Sequence, residues 1–255
     1  MSLKRLQRVG LELYSVRDAM KKDPLGTLSL VHNYGYDDVE LLWTFDNFGL
    51  STREMRAALD ERGLRAPSAH IAPEALLLDW QKSLDTAKAL DHAYLIVPSL
   101  PDDTNGSLDG WRRWADRFNV AGEAARKAGL WLAFHNEPGH QKPIAGQVPY
   151  DLFVERTDPQ FVRLQLDVGN MAMGGGDPVR YIEKYHARYA SLHIKDVVAD
   201  RSHDTELGAG TLDLRAILRR WEFADAGPCY IEQEGAADPM DSARKNHYFL
   251  SRLEF

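Results

Sequence analysis

Short apolar runs alternate along the chain with longer segments that have the period of a helix. After the run Val9–Tyr14, for example, apolar side chains in Pro24–Tyr34 recur every three or four residues. Ser51 is a typical helix N-cap and Gly63 a typical helix stop. The pattern predicts eight strands, at Val9–Tyr14, Asp38–Leu42, Arg65–Ile71, Ala93–Val97, Leu130–Asn136, Arg163–Asp167, Tyr189–Ile194 and Cys229–Gln233.

A helix is predicted after each strand. The helix after the fourth strand places Trp111, Trp114 and Phe118 on one stripe, which is the spacing of a face packed on a sheet. Alternating strands and helices imply parallel strands with right-handed crossovers, and eight units in one chain favour a closed (β/α)8 barrel, a TIM barrel. Nothing marks a domain boundary, so we expect one α/β domain over residues 1–255. The helices are expected at Pro24–Tyr34, 52–62, Asp79–Leu90, Leu108–Lys127, Tyr150–Arg156, from Asp177-Pro178 onward, Leu212–Trp221 and Pro239–Leu253.

Composition and charge exclude several classes of protein. The 255 residues are 44% hydrophobic and 27% charged, which is the composition of a globular protein rather than a disordered one. The net charge of −7 argues against binding to nucleic acid. Cys229 is the single cysteine, so neither an intrachain disulfide nor a cysteine metal cluster can form. With no apolar stretch of signal-peptide or membrane-span length, we expect a cytoplasmic protein without a membrane partner.

Carboxylate and imidazole side chains close most of the predicted strands. In a barrel of this kind the carboxyl ends of the strands form the active-site face, so these side chains should converge on one mouth. Several buried carboxylates without partners repel one another, and a divalent cation removes that conflict. Ligands of these types fit Mn²⁺, Mg²⁺, Co²⁺ or Zn²⁺ without selecting among them. The residues concerned are Glu40, His70, His135, Glu137, Asp167, His193 and Glu232. His32, His92, His186 and His247 are expected to be solvated or in the core.

Three strand-end motifs carry a resemblance to a known family. They read Leu-Asp-Val-Gly-Asn around Asp167, Leu-His-Ile-Lys-Asp around His193 and Ile-Glu-Gln-Glu around Glu232. Their order resembles the xylose isomerase-like TIM-barrel superfamily (sugar phosphate isomerase/epimerase, AP endonuclease 2-type barrel), which includes inosose dehydratases and endonuclease IV. Matching segments over nearly the whole chain are Leu13-Tyr-Ser-Val-Arg-Asp18, Gly35-Tyr-Asp-Asp-Val-Glu40, Pro67-Ser-Ala-His70 and Gly208-Ala-Gly-Thr-Leu-Asp213.

The resemblance implies one divalent ion held from strands five to eight. Asp167, His193 and Glu232 match residue by residue, but strand five reads Phe134-His-Asn-Glu-Pro-Gly-His140 and departs from the family pattern. Glu137 is favoured as the fourth ligand because it restores the number of carboxylates. His135 is its rival, and His140 falls where the close branch of the family has a later Glu.

The resemblance also implies an activity. It is that of a sugar isomerase or epimerase working by proton transfer through a metal-stabilised enediolate, on a small-molecule sugar. Glu137 and Glu232 would combine metal ligation with proton transfer. A homodimer or a tetramer is left open. The substrate contacts implied are His70, His135, Lys195 and Glu40, and Lys195 has the alternative of pairing with Asp196 or Glu234.

Other functions remain as alternatives. An inosose-type dehydratase or keto-glycoside lyase would use the same metal site, and an inactive sugar-binding barrel is allowed by the unusual strand five. Endonuclease activity is disfavoured by the acidic charge and by Asn170, where that family has a His. The loop at Gly208–Gly210 could bind a substrate phosphate or simply turn the chain, and we favour an unphosphorylated ligand. Aromatic side chains that could stack on a sugar, or instead pack helices, are Trp43, Phe45, Phe48 and Trp80.

Overall fold

The computed structural model describes residues 3–101, 104, 106–222 and 227–255. Within them, eight parallel strands close into a barrel in which each strand pairs with its neighbour in the chain and β8 pairs with β1. The predicted TIM barrel is therefore confirmed. Its strands are β1 Gly10–Glu12, β2 Asp38–Leu42, β3 Arg65–His70, β4 Tyr94–Val97, β5 Trp131–His135, β6 Val162–Asp167, β7 Tyr189–Ile194 and β8 Cys229–Ile231.

Helices surround this barrel, and three of the described α-helices were not predicted. Arg17–Lys22 follows β1, Ala75–Leu78 follows β3, and Val168–Met173 begins directly at the end of β6. Short 3-10 or irregular helical segments occupy Leu13–Val16, Trp43–Gly49, Pro138–Gln141 and His186–Arg188. The α-helices among the described residues are α1 Arg17–Lys22, α2 Pro24–Asn33, α3 Thr52–Arg62, α4 Ala75–Leu78, α5 Trp80–Ala89, α6 Leu108–Lys127, α7 Pro149–Arg156, α8 Val168–Met173, α9 Pro178–Tyr185, α10 Leu214–Glu222 and α11 Pro239–Leu250.

The aromatic stripe on α6 packs against the outside of the barrel. Trp111, Trp114 and Phe118 are all at least 96% buried, as the spacing predicted. Phe118 makes an edge-to-face contact with Phe134 of β5, with ring centroids 5.7 Å apart. This packing fixes the outer face of β5 and leaves its other face for the barrel interior. No helix among the described residues is both long and apolar enough to cross a membrane.

The N-terminus of α3 gives a first testable prediction. Ser51 and Glu54 form a capping box, in which each side chain accepts a hydrogen bond from the other residue's backbone N–H. Ser51→Ala removes one of these bonds, and we expect the free energy of unfolding to fall by about 1 kcal/mol. Urea titration would measure it, with Ser202→Ala in an exposed loop as control. A loss as small as that of the control would contradict the role of the cap.

Burial of His92 predicts a contribution to acid sensitivity. Its Nδ1 lies 2.5 Å from the Ala66 carbonyl oxygen, and burial lowers the pKa of its imidazole to about 4. The unfolded chain takes up this proton below pH 6.5 and the folded chain does not, so the stabilisation is complete above 6.5 and lost as the pH falls towards 4. From this residue we expect about 1 kcal/mol less stability at pH 5.5 than at pH 7.

Urea titrations at the two pH values would test the role of His92. His92→Gln should lose less stability on acidification than the parent protein does. The matched control is His32→Gln, because the same substitution is made there at an exposed histidine outside the core. Equal pH dependence in all three proteins would contradict the prediction.

Candidate metal centre and active site

Four metal-ligating side chains meet at the carboxyl ends of four adjacent strands. His135 and Asp167 end β5 and β6, His193 lies one residue before the end of β7, and Glu232 directly follows β8. One ligand atom of each lies within 4.8 Å of those of the others, and all four side chains are buried. The convergence expected from the sequence is therefore present for these residues.

Asp167 is held in place by the turn that follows β6. Its Oδ1 accepts a hydrogen bond of 2.7 Å from the Asn170 backbone N–H, which makes it the N-cap of α8. The Asn136 side chain joins the ends of β5 and β6 by bonding to the N–H and the carbonyl of Asp167. Oδ2 accepts no hydrogen bond from the described residues, although Lys195 Nζ lies 3.1 Å away. Burial raises the pKa of Asp167 to about 6, against the opposing charge of Lys195.

A buried glutamine fixes which nitrogen of His135 carries a proton. Gln165 Nε2 lies 3.0 Å from Glu40 Oε1, and because a carboxylate only accepts, this nitrogen is the amide NH₂. The other end of the amide, Oε1, lies 2.9 Å from His135 Nδ1, which must therefore donate. Burial lowers the pKa of His135 well below its usual range, so its imidazole is neutral. Its Nε2 therefore carries a lone pair, which Asn170 Nδ2 contacts at 3.4 Å and which a metal ion could bind in place of that long hydrogen bond.

His193 stands between two carboxylates. Its Nε2 lies 2.5 Å from Glu40 Oε2, and its Nδ1 lies 2.7 Å from Glu232 Oε2. Burial opposes its charged form, but these carboxylates outweigh burial and raise the pKa of His193 to about 10. The proton on Nε2 is held by Glu40, so loss of the proton on Nδ1 would leave a lone pair facing Asp167 and Glu232. A carboxylate on Nε2 would then orient His193 for a metal ion on Nδ1, as carboxylates do for histidine ligands of metals.

Two carboxylic acids at the mouth have opposite charge states. Burial would raise the pKa of Glu232, but Lys195 and His193 hold it well below its usual range, so this carboxylate is ionised. Burial raises the pKa of Glu137 to about 8, with Lys195 opposing, so Glu137 carries a proton at neutral pH. One ionised and one protonated carboxyl group on the same face can serve as general base and general acid.

The structure arranges the strand-five candidates differently from the preferred sequence interpretation. His135, the rival, joins the set of Asp167, His193 and Glu232, whereas Glu137 lies outside that set. The reason is that β5 ends at His135 and the chain turns at Pro138, which carries Glu137 out to the mouth. His140 packs instead against the Trp111 ring, with centroids 4.8 Å apart. Its Nδ1 accepts a hydrogen bond from the Glu137 N–H, so it supports the turn and does not enter the site.

Two other candidates lie at different depths in the barrel. Glu40 is completely buried beneath His193, where its carboxylate also accepts hydrogen bonds from Ser68 and Gln165. It is away from the mouth, so the geometry suits it to holding His193 rather than touching substrate. His70 is 6% exposed and lines the mouth, with its Nε2 2.8 Å from Gln165 Oε1.

Sequence reasoning missed Glu12 and Gln165. Glu12 pairs in register with Glu40 on the next strand, and neither of its carboxylate oxygens has a hydrogen-bond partner among the described residues. Burial, together with the charge of Glu40, raises its pKa well above the usual range, so it is a neutral acid. A polar residue within an apolar run was the available signal for both.

Lys195 pairs with carboxylates of the site. Its Nζ lies 2.5 Å from Glu234 Oε1, so the alternative pairing with Glu234 is present, and that with Asp196 is not among its ion pairs in the described structure. Asp196 is used otherwise, because its carboxylate accepts hydrogen bonds from the N–H groups of Gly208, Gly210 and Leu212. Those amides of the glycine loop are therefore engaged, which disfavours the phosphate-binding interpretation.

A cavity of about 260 Å³ opens above these residues. Tyr14 and Phe45 form an aromatic side of it, with ring centroids 6.0 Å apart, so Phe45 alone among the proposed stacking aromatics lines this cavity. Trp80 packs between helices and donates to the Ala121 carbonyl, and Trp43 packs against His92. The cavity has the size and mixed lining of a site for a small polar molecule. Its lining is Tyr14, Leu42, Thr44, Phe45, His70, Pro98, Ser99, His135, Glu137, Glu232 and Glu234.

The side chains at the centre fit a divalent metal ion. Two imidazoles and two carboxylates form a ligand set that Mn²⁺, Co²⁺ or Zn²⁺ accepts. Asp167 Oδ2 accepts no hydrogen bond from the described residues beyond its ion pair with Lys195, and His135 Nε2 has a long contact of 3.4 Å with Asn170 Nδ2. Both are buried acceptors that such an ion would satisfy.

The chain matches a known family model and curated proteins. The family model described as xylose isomerase-like TIM barrel matches residues 28–253. An inosose dehydratase from Lacticaseibacillus casei is 30% identical over 166 residues, which are 56% of this chain and 54% of that protein. The chain therefore spans about half the length of this curated relative.

Solved structures share the whole barrel. A sugar phosphate isomerase/epimerase from Parabacteroides distasonis superposes with a TM-score of 0.84 at 26% identity, covering 98% of this chain and 96% of the other. The IOLI protein, solved with a zinc atom, has a TM-score of 0.77 at 12% identity, covering 95% and 96% of the two chains. At this lower identity the likeness concerns the fold alone.

Proposed function

The chain belongs to the xylose isomerase-like TIM barrel family, and we propose that it is a divalent-metal-dependent sugar enzyme. The proposed reaction removes a proton from the carbon next to a carbonyl group. The observation that carries the proposal is the set of His135, Asp167, His193 and Glu232, whose ligand atoms lie within 4.8 Å of one another at the barrel mouth. The IOLI protein, which shares this fold, was solved with a bound zinc atom.

The four residues of that set would hold the ion, with His135 in place of Glu137. When bound, the ion would supply Lewis-acid stabilisation of the negative charge that develops on the substrate oxygens. Glu40 would keep the proton on His193 Nε2 and so direct Nδ1 to the ion. This assigns Glu40 a positioning role in place of the substrate contact that the resemblance implies.

Proton transfer would be divided between the two carboxyl groups of opposite charge state. Glu232 is ionised and can accept the proton from the substrate carbon, while Glu137 is protonated and can give one to the intermediate. His70 and the aromatic pair Tyr14 and Phe45 line the same cavity and would orient the sugar. Return of a proton to another atom or face makes the enzyme an isomerase or epimerase, which is our first candidate.

A dehydratase acting on an inosose is the second candidate. It is favoured by the 30% identity to inosose dehydratase and by the protonated state of Glu137, which could donate a proton to a leaving hydroxyl group. The first half of the reaction, loss of the proton next to the carbonyl, is the same for both candidates. The two therefore differ only in the fate of the intermediate.

Product analysis in heavy water tests both candidates. Protein supplied with Mn²⁺ or Zn²⁺ would be incubated with keto sugars and with an inosose, and products followed by NMR and mass spectrometry. We expect deuterium next to the carbonyl in either case, with unchanged carbon skeleton and hydroxyl count for an isomerase or epimerase and loss of one water for a dehydratase. Activity should disappear on dialysis against a chelator, and full activity of metal-free protein would refute the proposal.

A further inference from the structure

Lys195 is a completely buried lysine that directly follows β7. Its Nζ lies 3.1 Å from Asp167 Oδ2 and 3.3 Å from Glu232 Oε2. Gly169 makes this approach possible, because a Cβ at that position would lie 2.4 Å from the Lys195 Cβ. The chain thus places a permanent positive charge against two carboxylates of the metal-binding set.

Asp167 Oδ2 and Glu232 Oε2 contact the Lys195 ammonium and belong to the residues that would also bind the metal ion. A divalent ion bound to Asp167 and Glu232 would lie within a few ångströms of the ammonium, where like charges repel strongly in a buried site. We propose that Lys195 is the internal counter-cation of the metal site: it neutralises Asp167 and Glu232 when no ion is bound and thereby limits how tightly the site binds one. This inference rests on the proposed function, since it presupposes a metal on those residues.

Glu234 pairs with the same ammonium from the side that faces solvent. Its Oε1 lies 2.5 Å from Lys195 Nζ, and its side chain is 43% exposed, so it holds the ammonium from the solvent side of the two buried carboxylates. An ion entering the site can be accommodated if the ammonium gives up its contacts with Asp167 and Glu232 and keeps the one with Glu234. Without the charge of Glu234, Lys195 should pair more strongly with Asp167 and Glu232, and metal binding should weaken.

The central experiment compares Mn²⁺ binding by calorimetry in the parent protein and in Lys195→Met. Methionine keeps the length of the side chain and removes its charge, and we expect its protein to bind Mn²⁺ at least tenfold more tightly. The metal-free variant should unfold at a lower temperature than the parent, and Mn²⁺ should raise its Tm more than that of the parent. Lys184→Met is the matched control, because Lys184 is about half exposed on α9 and pairs with Asp151 outside the site.

A second variant tests whether Glu234 acts through the lysine. Glu234→Gln should weaken Mn²⁺ binding severalfold in the parent background. Its effect should shrink in the Lys195→Met background, because the group through which it acts is gone. This comparison also covers the case in which Lys195→Met folds only with Mn²⁺ present, an outcome that itself supports the proposal.

The outcomes separate this inference from the proposed function. Folded Lys195→Met that binds Mn²⁺ no more tightly than a metal-binding parent overturns the counter-cation role and leaves the metal site standing. Binding by Lys195→Met alone supports the counter-cation role and overturns metal dependence of the natural protein. Absence of Mn²⁺ and Zn²⁺ binding in both proteins overturns the proposed function, and the inference falls with it.

Discussion

Glu232→Gln is expected to reduce turnover by about 10³-fold while leaving the fold intact. The carboxylate of Glu232 is ionised, lies 2.7 Å from His193 Nδ1 and faces the cavity at the barrel mouth. Glutamine has the same shape and can still accept a hydrogen bond from His193. It has no negative charge for a metal ion and cannot accept a proton from substrate. Proton transfer should therefore be lost while the packing of the side chain is unchanged.

Steady-state kinetics with a substrate from the deuterium screen would measure the loss. The fold is monitored by circular dichroism and thermal unfolding, and the bound metal by elemental analysis. Glu61→Gln is the matched control, because the Glu61 side chain is 73% exposed and remote from the mouth. A Glu232→Gln protein that keeps its activity within tenfold of the parent would remove Glu232 from the proton-transfer step.

The barrel could be predicted because its signals are local. Apolar runs bounded by turn residues recur eight times, and the spacing between successive runs is long enough for one strand and one helix. Boundaries were less accurate, since an apolar run continues past the last hydrogen-bonded residue. The predicted strand Val9–Tyr14 ends as β1 at Glu12, because Leu13–Val16 forms a 3-10 turn that is equally apolar.

Which strand-five residue joins the cluster of Asp167, His193 and Glu232 could not be predicted from the sequence, for a geometric reason. His135 and Glu137 are two residues apart, so in an extended strand both side chains point to the same side. The choice depends on where the strand stops. The turn from Pro138 to Gln141, supported by the buried ring of His140, withdraws Glu137 from the four-residue set, and nothing in the spacing of these residues shows that turn.

The hydrogen bonds of Gln165 inside the barrel could not be predicted from the sequence pattern either. Gln165 contacts His70, His135 and Glu40, which are separated from it by 30 to 125 residues. Its role is to fix hydrogen-bond direction, and that role exists only once β2, β3, β5 and β6 are neighbours. Residue type alone therefore identifies candidate metal ligands. The residues that fix the histidine tautomers can be identified only in the closed barrel, where they come into contact.

Glu40→Gln is expected to weaken metal binding by about 10-fold to 100-fold, although it leaves all four residues of the proposed metal site unchanged. Glu40 Oε2 accepts the Nε2 proton of His193, and its Oε1 accepts hydrogen bonds from Gln165 and Ser68. A glutamine offers only one accepting oxygen to these donors, so its NH₂ must face one of them. The preference of His193 for the tautomer with a free Nδ1 is then lost.

Calorimetry with Mn²⁺ measures the affinity. NMR of ¹⁵N-labelled histidine in the Zn²⁺-loaded protein reports which nitrogen of His193 keeps its proton, because the metal-free imidazole is protonated on both nitrogens at neutral pH. Ser68→Ala is the matched control, since it removes another partner of the same carboxylate and leaves the His193 contact in place. We expect the control to bind Mn²⁺ nearly as the parent does and to keep the proton of His193 on Nε2. A Glu40→Gln protein with unchanged tautomer and unchanged affinity would show that the orientation of His193 is set by β7 and β8 alone, without the buried carboxylate.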